Sequence, residues 1–497
     1  MDRRKTALTP EAFNERKKMA LLRWKRVLFA VGLLASVASC TVGPDYVRPI
    51  TGAPASYKEI DGWKVASPKD DTLKEAWWEL FNDPQMNALE AQVIIANPNV
   101  WVAEAQFRQA RALVQSARAG YLPTLTVGAS AKRAASSENL GPSTSGVSIS
   151  DFLLPIDLSW EADLWGRIRR TVEASQASAQ ASAADLAAVR LSAQAELALD
   201  YLQLRTLDAQ KQLLDSTVTY YGKSLELTNN RYNSGVVAKS DVLQAETQLK
   251  STQAQALDFG LQRAQMEHAM AILIGKPASE FSLPVTPLIP TLPAIPVVVP
   301  SELLEQRPDI AAAERRMAMA NAQIGVAQAA FYPTIQIGAL AGFEASRVDQ
   351  WLSWPSRFWS VGPSISQTVF DGGLRQAQSD QSLAAYDATA ASYRKIVLNA
   401  FQEVEDNLAA LRILGEEVRV QTEAVNAARQ AATVTSNQYQ AGTVSYINVI
   451  VAQTAELANE RTLLEIRSRQ QAASVLLIKA LGGGWKSADL PSVNTLN

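Results

Sequence analysis

Cysteine and histidine are almost missing from this chain: its 497 residues hold one of each, Cys40 and His268. A disulfide framework and a zinc site of the Cys/His type are thereby excluded. A Cys–His or Ser–His–Asp mechanism loses its support for the same reason. A surplus of positive charge is also missing, with 47 Lys and Arg against 49 Asp and Glu. Residues 1–26 take nine of the basic side chains and three of the acidic ones, which leaves 38 basic and 46 acidic residues beyond them, a net charge of −8. Nucleic acid demands a basic surface, so it is excluded as the main partner. Apolar residues at 47% and charged residues at 19% describe a folded chain rather than a disordered or collagen-like one.

The uncharged run Val27–Ser39 is 13 residues long, short of the ~20 that a spanning helix needs. It follows Arg23-Trp-Lys-Arg26 and ends in Val37-Ala38-Ser39-Cys40. A basic stretch, a short apolar stretch and small residues before a cut describe a signal peptide over 1–39, with Met19 as an alternative start. Cys40 lies where a bacterial lipoprotein signal places its acylated cysteine. Acyl chains there would contribute ~0.8 kcal/mol per buried CH₂ and anchor the chain firmly. Thr41, rather than Asp, follows the cysteine, which points to the outer membrane as destination.

The chain also resembles itself. At an offset of 210, Pro98 falls on Pro308, Glu104 on Glu314, Pro123 on Pro333 and Gly128 on Gly338. At an offset of 207, Asn230 falls on Asn437, Tyr232 on Tyr439, Gly235 on Gly442 and Gly275 on Gly482. Two structural copies are expected, over 84–275 and 308–482, joined by a Pro-rich extended connector at 276–307. A segment at 40–83 precedes them and a tail at 483–497 follows.

Proline is absent from Ile156 to Lys276 and from Ser364 to Leu490. The loss of the strongest helix breakers predicts long helices, on the order of 100 Å from Gly166 to Gly235 and from Gly372 to Gly442. Shorter helices are expected at about 84–120 and 308–330, with Asp83-Pro84 as N-cap and first helical residue. A period of two marks strands in Leu125–Ala131, Ile335–Phe343 and Trp359–Val369, and more weakly in Ile149–Trp160. Four such strands match the length that crosses an outer membrane. Four cannot close a barrel, and an open edge in lipid leaves backbone groups unpaired. The chain must therefore oligomerise if its strands are membranous; three copies would give twelve strands, and composition does not choose three over two or four.

In order along the chain stand Cys40-Thr-Val-Gly-Pro-Asp-Tyr46 with Pro49, Trp77-Trp78 with Phe81, Asp83 and Pro84, and Trp160-Glu161 with Asp163-Leu164 and Gly166-Arg167. Arg307-Pro308-Asp309 with Glu314, Tyr332-Pro333, Phe370-Asp371-Gly372-Gly373 and Leu481-Gly482-Gly483-Gly484-Trp485 follow. This ordered set resembles the TolC-like outer-membrane efflux family, in its lipoprotein (OprM/NodT) branch. The resemblance covers essentially the whole mature chain. It implies a mixed α and β membrane protein, a homotrimer with a twelve-stranded outer-membrane barrel continued by a periplasmic α-helical tunnel. It further implies a passive exit duct, without cofactor or catalysis, docked to a periplasmic adaptor and an inner-membrane transporter of the RND type and passing small molecules such as drugs. The alternatives are a duct for type I protein secretion and a non-conducting, lipid-anchored helical scaffold, which would not need lipid-facing strands.

Two sets of site residues follow from the resemblance. Arg231, Tyr232, Gly235, Tyr439 and Gly442 lie at the turns that would contact the adaptor; structurally the glycines are helix C-caps. Asp241 serves as a first-turn carboxylate or, in three copies, as a ring at the tunnel aperture. Relatives commonly carry acidic residues at this aperture in the second copy, where Asn448 and Val451 stand here. His268 reads as a surface or packed residue, and Trp77 and Trp78 as packing anchors. Trp351, Trp354 and Trp359 fit either an interfacial belt or loop packing. Glu161, Asp163, Arg167 and Arg169 read as an ion-paired junction between strand and helix.

Overall fold

The computed structural model describes residues 41–49, 52, 54–60, 76–137, 148–286, 292–295, 297, 300–492 and 494–495. The signal segment 1–39 and Cys40 lie outside the described residues. The first half contains α1 (Pro84–Ala96), α2 (Pro98–Ala119), β1 (Thr124–Val127), β2 (Ser130–Ala135), β3 (Ser148–Glu161), α3 (Arg167–Asn233) and α4 (Lys239–Leu273). The second contains α5 (Pro300–Gln306), α6 (Pro308–Ala329), β4 (Thr334–Ala345), β5 (Arg357–Ser366), α7 (Leu374–Gln440) and α8 (Tyr446–Ala480). Equivalent helices have equal lengths: 22 residues for α2 and α6, 67 for α3 and α7, 35 for α4 and α8.

The glycines explain where the long helices begin and end. Gly166 and Gly373 precede α3 and α7 with φ of 82° and 92°. Neither can cap with a side chain, so an aspartate upstream does it. Asp163 accepts from the Ile168 and Arg169 amides at 3.0 and 2.9 Å; Asp371 accepts from the Gly373 amide at 3.1 Å and the Arg375 amide at 3.3 Å. Arg167 forks onto Glu161 at 2.9 and 2.7 Å, so the junction is ion-paired as expected.

Three expectations need correction. The first helix is not continuous over 84–120, because Pro98 removes an amide and Asn97 becomes an N-cap, accepting from Asn99 and Val100. The connector 276–307 is not extended throughout, because Pro300–Gln306 is helical; part of the remainder lies outside the described residues. This short helix is the second copy of α1. A Cβ on Gly275 would overlap the Ala96 carbonyl, and a Cβ on Gly482 would overlap that of Gln306. Asn97 donates to the Leu273 carbonyl at 2.9 Å, and Arg307 to that of Ala480 at 3.1 Å. The same close approach is thus built twice.

The third correction concerns the sheet, which has five strands in the order β1-β3-β4-β5, with β2 also on β3, all antiparallel. The weak candidate Ile149–Trp160 is its longest strand, β3, at 14 residues. β1 and β2 hold one register against it: Val127 faces Ile156 and Ser130 faces Leu153. The break lies opposite Pro155, which accepts from the Gly128 amide at 3.0 Å and has no N–H to return. On its other side Pro155 pairs with Gly342, where a Cβ would overlap the Leu154 carbonyl.

The sheet lies at one end and the turns after α3 and α7 at the other. The main core sits midway, where all the long helices meet. It joins Leu197, Leu202 and Leu204 of α3 to Met270, Val404, Leu408, Val475 and Leu477, with Trp77 and Phe81 packed edge-on beside them. Leu197 is 30 residues from the start of α3, about 45 Å from the sheet at ~1.5 Å per residue. Between core and sheet the Ala-rich stretch of α3 lets α6 approach closely, with Ala184, Ala311 and Ala312 in one cluster.

Candidate functional site

The turns after α3 and α7 come together. Gly235 and Gly442 adopt φ of 74° and 78°, closing both helices in the left-handed conformation that glycine tolerates. Arg231 crosses from the first turn to the second. Its Nη1 donates to the Tyr439 carbonyl at 2.6 Å, and its guanidinium lies 4.5 Å from the Tyr439 ring centre. Tyr439 is buried and packs on Tyr446 with centroids 5.2 Å apart. The Tyr446 hydroxyl meets Ser224 Oγ at 3.0 Å, which returns the chain of contacts to α3. Burial chiefly pushes the Tyr446 phenol up, against the Ser224 hydrogen bond, while the charge of Asp241 adds to the rise.

Of the five tip residues, Arg231 and Tyr439 therefore face each other, while Tyr232, Gly235 and Gly442 are exposed. Val236, 61% exposed, extends that outer surface. Tyr232 is covered on one side by Lys239, whose ammonium lies 5.3 Å from its ring centre. Asp241 and Asn448 occupy the same place in the two halves, the third residue of α4 and of α8. Asn448 turns back to Ser445 Oγ at 3.2 Å, and Val451 is 62% exposed. Tyr446, Ser224 and Lys239 were not singled out by sequence reasoning. Their only signal was proximity to the two glycines.

At the opposite end the sheet covers no core, and large apolar side chains stand out from it, among them Leu125, Val127, Ile156, Val361 and Ile365. Trp354 and Trp359 are exposed there as well, and Arg357 stacks 3.9 Å from the Trp354 ring centre. The described N-terminal segment from Thr41 lies beside this sheet. The Val42 amide donates to the Trp165 carbonyl at 3.0 Å, and Thr41 packs so tightly on Gly166 that a Cβ there would press on its side chain. From there the segment runs along α6, with Asn321 donating to the Pro44 carbonyl and Tyr46 to Glu314 at 2.7 Å. At Lys58 and Glu59 it reaches Glu405 of α7, which accepts from both amides.

No described helix is long and apolar enough to cross a membrane, which says nothing of a β-barrel. His268 is exposed, and Trp77 and Trp78 are buried anchors.

Residues 89–276 and 299–483 match the family of outer membrane efflux proteins. The solvent efflux pump outer membrane protein SrpC of Pseudomonas putida is 31% identical over 457 residues, 91% of this chain and 97% of that protein. The pyoverdine export outer membrane protein OpmQ of Pseudomonas aeruginosa is 29% identical over 457 residues, 91% of this chain and 95% of that one. The solved outer-membrane channel OprN superposes with a TM-score of 0.84 at 33% identity, covering 90% of this chain and all of that one. The architecture is that of these outer-membrane channels, and the chain belongs to the outer membrane efflux protein family.

Proposed function

We propose that three copies of this chain form a passive exit duct through the outer membrane and the periplasm, the outer component of a tripartite efflux pump for small organic molecules. The observation that carries the reading is the unfinished sheet. β1–β2 at one edge and β5 at the other have no partner strand among the described residues. Unpaired edges are costly in lipid, on the order of several kcal/mol per backbone group, so a membrane sheet must close. Counting β1–β2 as one in-register strand, each copy contributes an even number. β5 of one copy then meets β1–β2 of the next in antiparallel sense, and three copies give a twelve-stranded barrel, within the known range of about 8 to 26.

The helices of 67 residues continue the barrel for about 100 Å. The exposed tip residues Tyr232, Gly235, Val236 and Gly442 are the surface offered to a periplasmic adaptor, while Arg231 and Tyr439 hold the two turns at one level. Asp241, Asn448 and Val451 line the aperture, with Asp241 supplying its only charge among the three. Acylated Cys40 anchors the chain; its neighbour Thr41 lies at the junction of sheet and helices, the depth at which an anchor reaches the inner leaflet. Relatives named for solvent and for pyoverdine support a duct whose cargo is chosen by the inner-membrane transporter, which also supplies the energy.

Purified protein reconstituted in planar bilayers tests the reading. Discrete ion-conducting steps are expected. A folded protein that forms single-chain particles and passes no current would overturn it.

A further inference from the structure

The two halves differ at one place where their packing demands the same residue type. Helices α4 and α8 correspond at an offset of 207, and α4 buries Val242, Ala245, Leu249, Thr252 and Ala256. The matching stretch of α8 buries Val449 and Gln453 and continues with half-buried Glu456 and Glu460. Glu456 thus stands where α4 has buried Leu249.

These polar residues line a cavity of about 420 Å³ between α3, α7 and α8, together with Tyr220, Tyr221 and Arg429. That volume lies within the ~300–1,000 Å³ of small-molecule sites. Gln453 is 2% exposed, and neither atom of its amide has a hydrogen-bond partner. A buried amide without partners is destabilising, so a group that satisfies it binds with that advantage. Arg429 pairs with Glu460, whereas Glu456 forms no salt bridge among the described residues. With Glu456, Glu460 and Arg429 in its lining, the cavity has an excess of one carboxylate, although Arg429 also acts on Glu456. Burial first, and the charge of Glu460 second, push the Glu456 carboxyl above its ordinary range, which a neighbouring cation would reverse. The Tyr220 and Tyr221 rings, 6.2 Å apart, offer aromatic surface to an apolar body and to a positive charge.

We propose that this cavity binds a small organic monocation, a primary ammonium on an apolar body, with Glu456 and the Gln453 carbonyl accepting its N–H groups. Every lining residue comes from a single chain, so the site does not depend on the duct reading. In the first half Leu249 stands in place of Glu456, and exposed Glu246 in place of buried Gln453.

Calorimetric titration of the full-length protein in detergent with 2-phenylethylammonium tests this, a detergent blank being subtracted and 3-phenylpropionate serving as an anion of like size. Saturable binding of one cation per chain is expected, with none of the anion. Glu456→Gln and Gln453→Leu are each expected to weaken it about tenfold or more, the range of a lost charge-assisted hydrogen bond. Asp241→Asn is expected to leave it unchanged. Absence of saturable heat, equal binding of the anion, or undiminished binding by Glu456→Gln would overturn the proposal. Glu456→Gln keeps the side-chain shape and decides the matter if Gln453→Leu fails to fold. Conductance of the same preparation reports on the duct separately.

Discussion

Removing Asp208 tests how α1, α3, α4 and the connector are fastened at mid-height. This fully buried carboxylate accepts from Arg205 at 2.8 Å, from Arg263 at 2.6 Å and from the Thr286 amide at 3.1 Å. Arg205 continues to the Pro284 carbonyl at 2.9 Å and Gln85 at 2.6 Å; Arg263 continues to the Leu283 carbonyl at 2.7 Å. One carboxylate thus binds α1, α3, α4 and the connector. Asp208→Ala leaves Arg205, 1% exposed, without a counter-charge. Deleting one partner of a buried pair costs ~3–5 kcal/mol. Arg263 keeps Glu267 at 2.9 Å, so its charge stays compensated. At ~2–4 °C per kcal/mol for domains of 150–250 residues, and less for longer chains, the melting midpoint should fall by about 5–10 °C. Loss of the helical circular-dichroism signal on heating in detergent measures this. The pair Arg205→Met with Asp208→Leu should recover most of the loss, since apolar replacement of a whole buried pair is often neutral. A single variant that melts within 1–2 °C of the parent, by the same ~2–4 °C per kcal/mol scale, would refute the reasoning, as would a double variant that is weaker still.

Other perturbations have equally definite outcomes. Glu90 is fully buried without a partner, and burial holds its carboxyl well above the ordinary range. The folded state then binds a proton that the unfolded chain releases, so stability should fall as pH rises from the unfolded pKa near 4.3 toward the raised value. Melting curves at pH 5 and pH 8 should show a larger loss in the parent than in Glu90→Gln, in which Asp200 and Glu456, also raised by burial, still titrate; equal slopes would contradict the assignment. Gly342→Ala places a methyl against the Leu154 carbonyl beside Pro155, so the proposed three-chain particle should give way to single chains in native mass spectrometry; an undiminished three-chain fraction would contradict this. Arg231→Ala removes a charge-assisted hydrogen bond of ~1.5–3 kcal/mol between the turns. Amide exchange over 436–446 should quicken about tenfold or more, while exchange at the sheet is unchanged.

Much of this architecture is legible in the sequence because it rests on local signals. Missing proline leaves α3 and α7 unbroken, even across Gly222 and Gly415, and the glycines that end them recur at a fixed offset. Strand β3 was faint because Leu153-Leu154-Pro155 breaks the alternation, and no local rule says that glycines at 128 and 342 accommodate the proline. Helix α5 was hidden in a run rich in proline; only the duplicated contact of Gly275 with Ala96 and Gly482 with Gln306 reveals it. The contact between Arg231 and Tyr439 joins residues 208 apart in the chain, and the Asp208 network draws on partners 55 and 78 residues away. Such pairings come from tertiary packing, to which periodicity is blind. The exchange of Leu249 for Glu456 was readable in the repeat, but its consequence needed the cavity.

The mass of the native particle tests the central claim most directly, because the sheet is complete only if identical neighbours supply its missing edges. Native mass spectrometry of the detergent-released protein should give three chains per particle. A homogeneous single-chain particle that keeps its strand content would contradict the account.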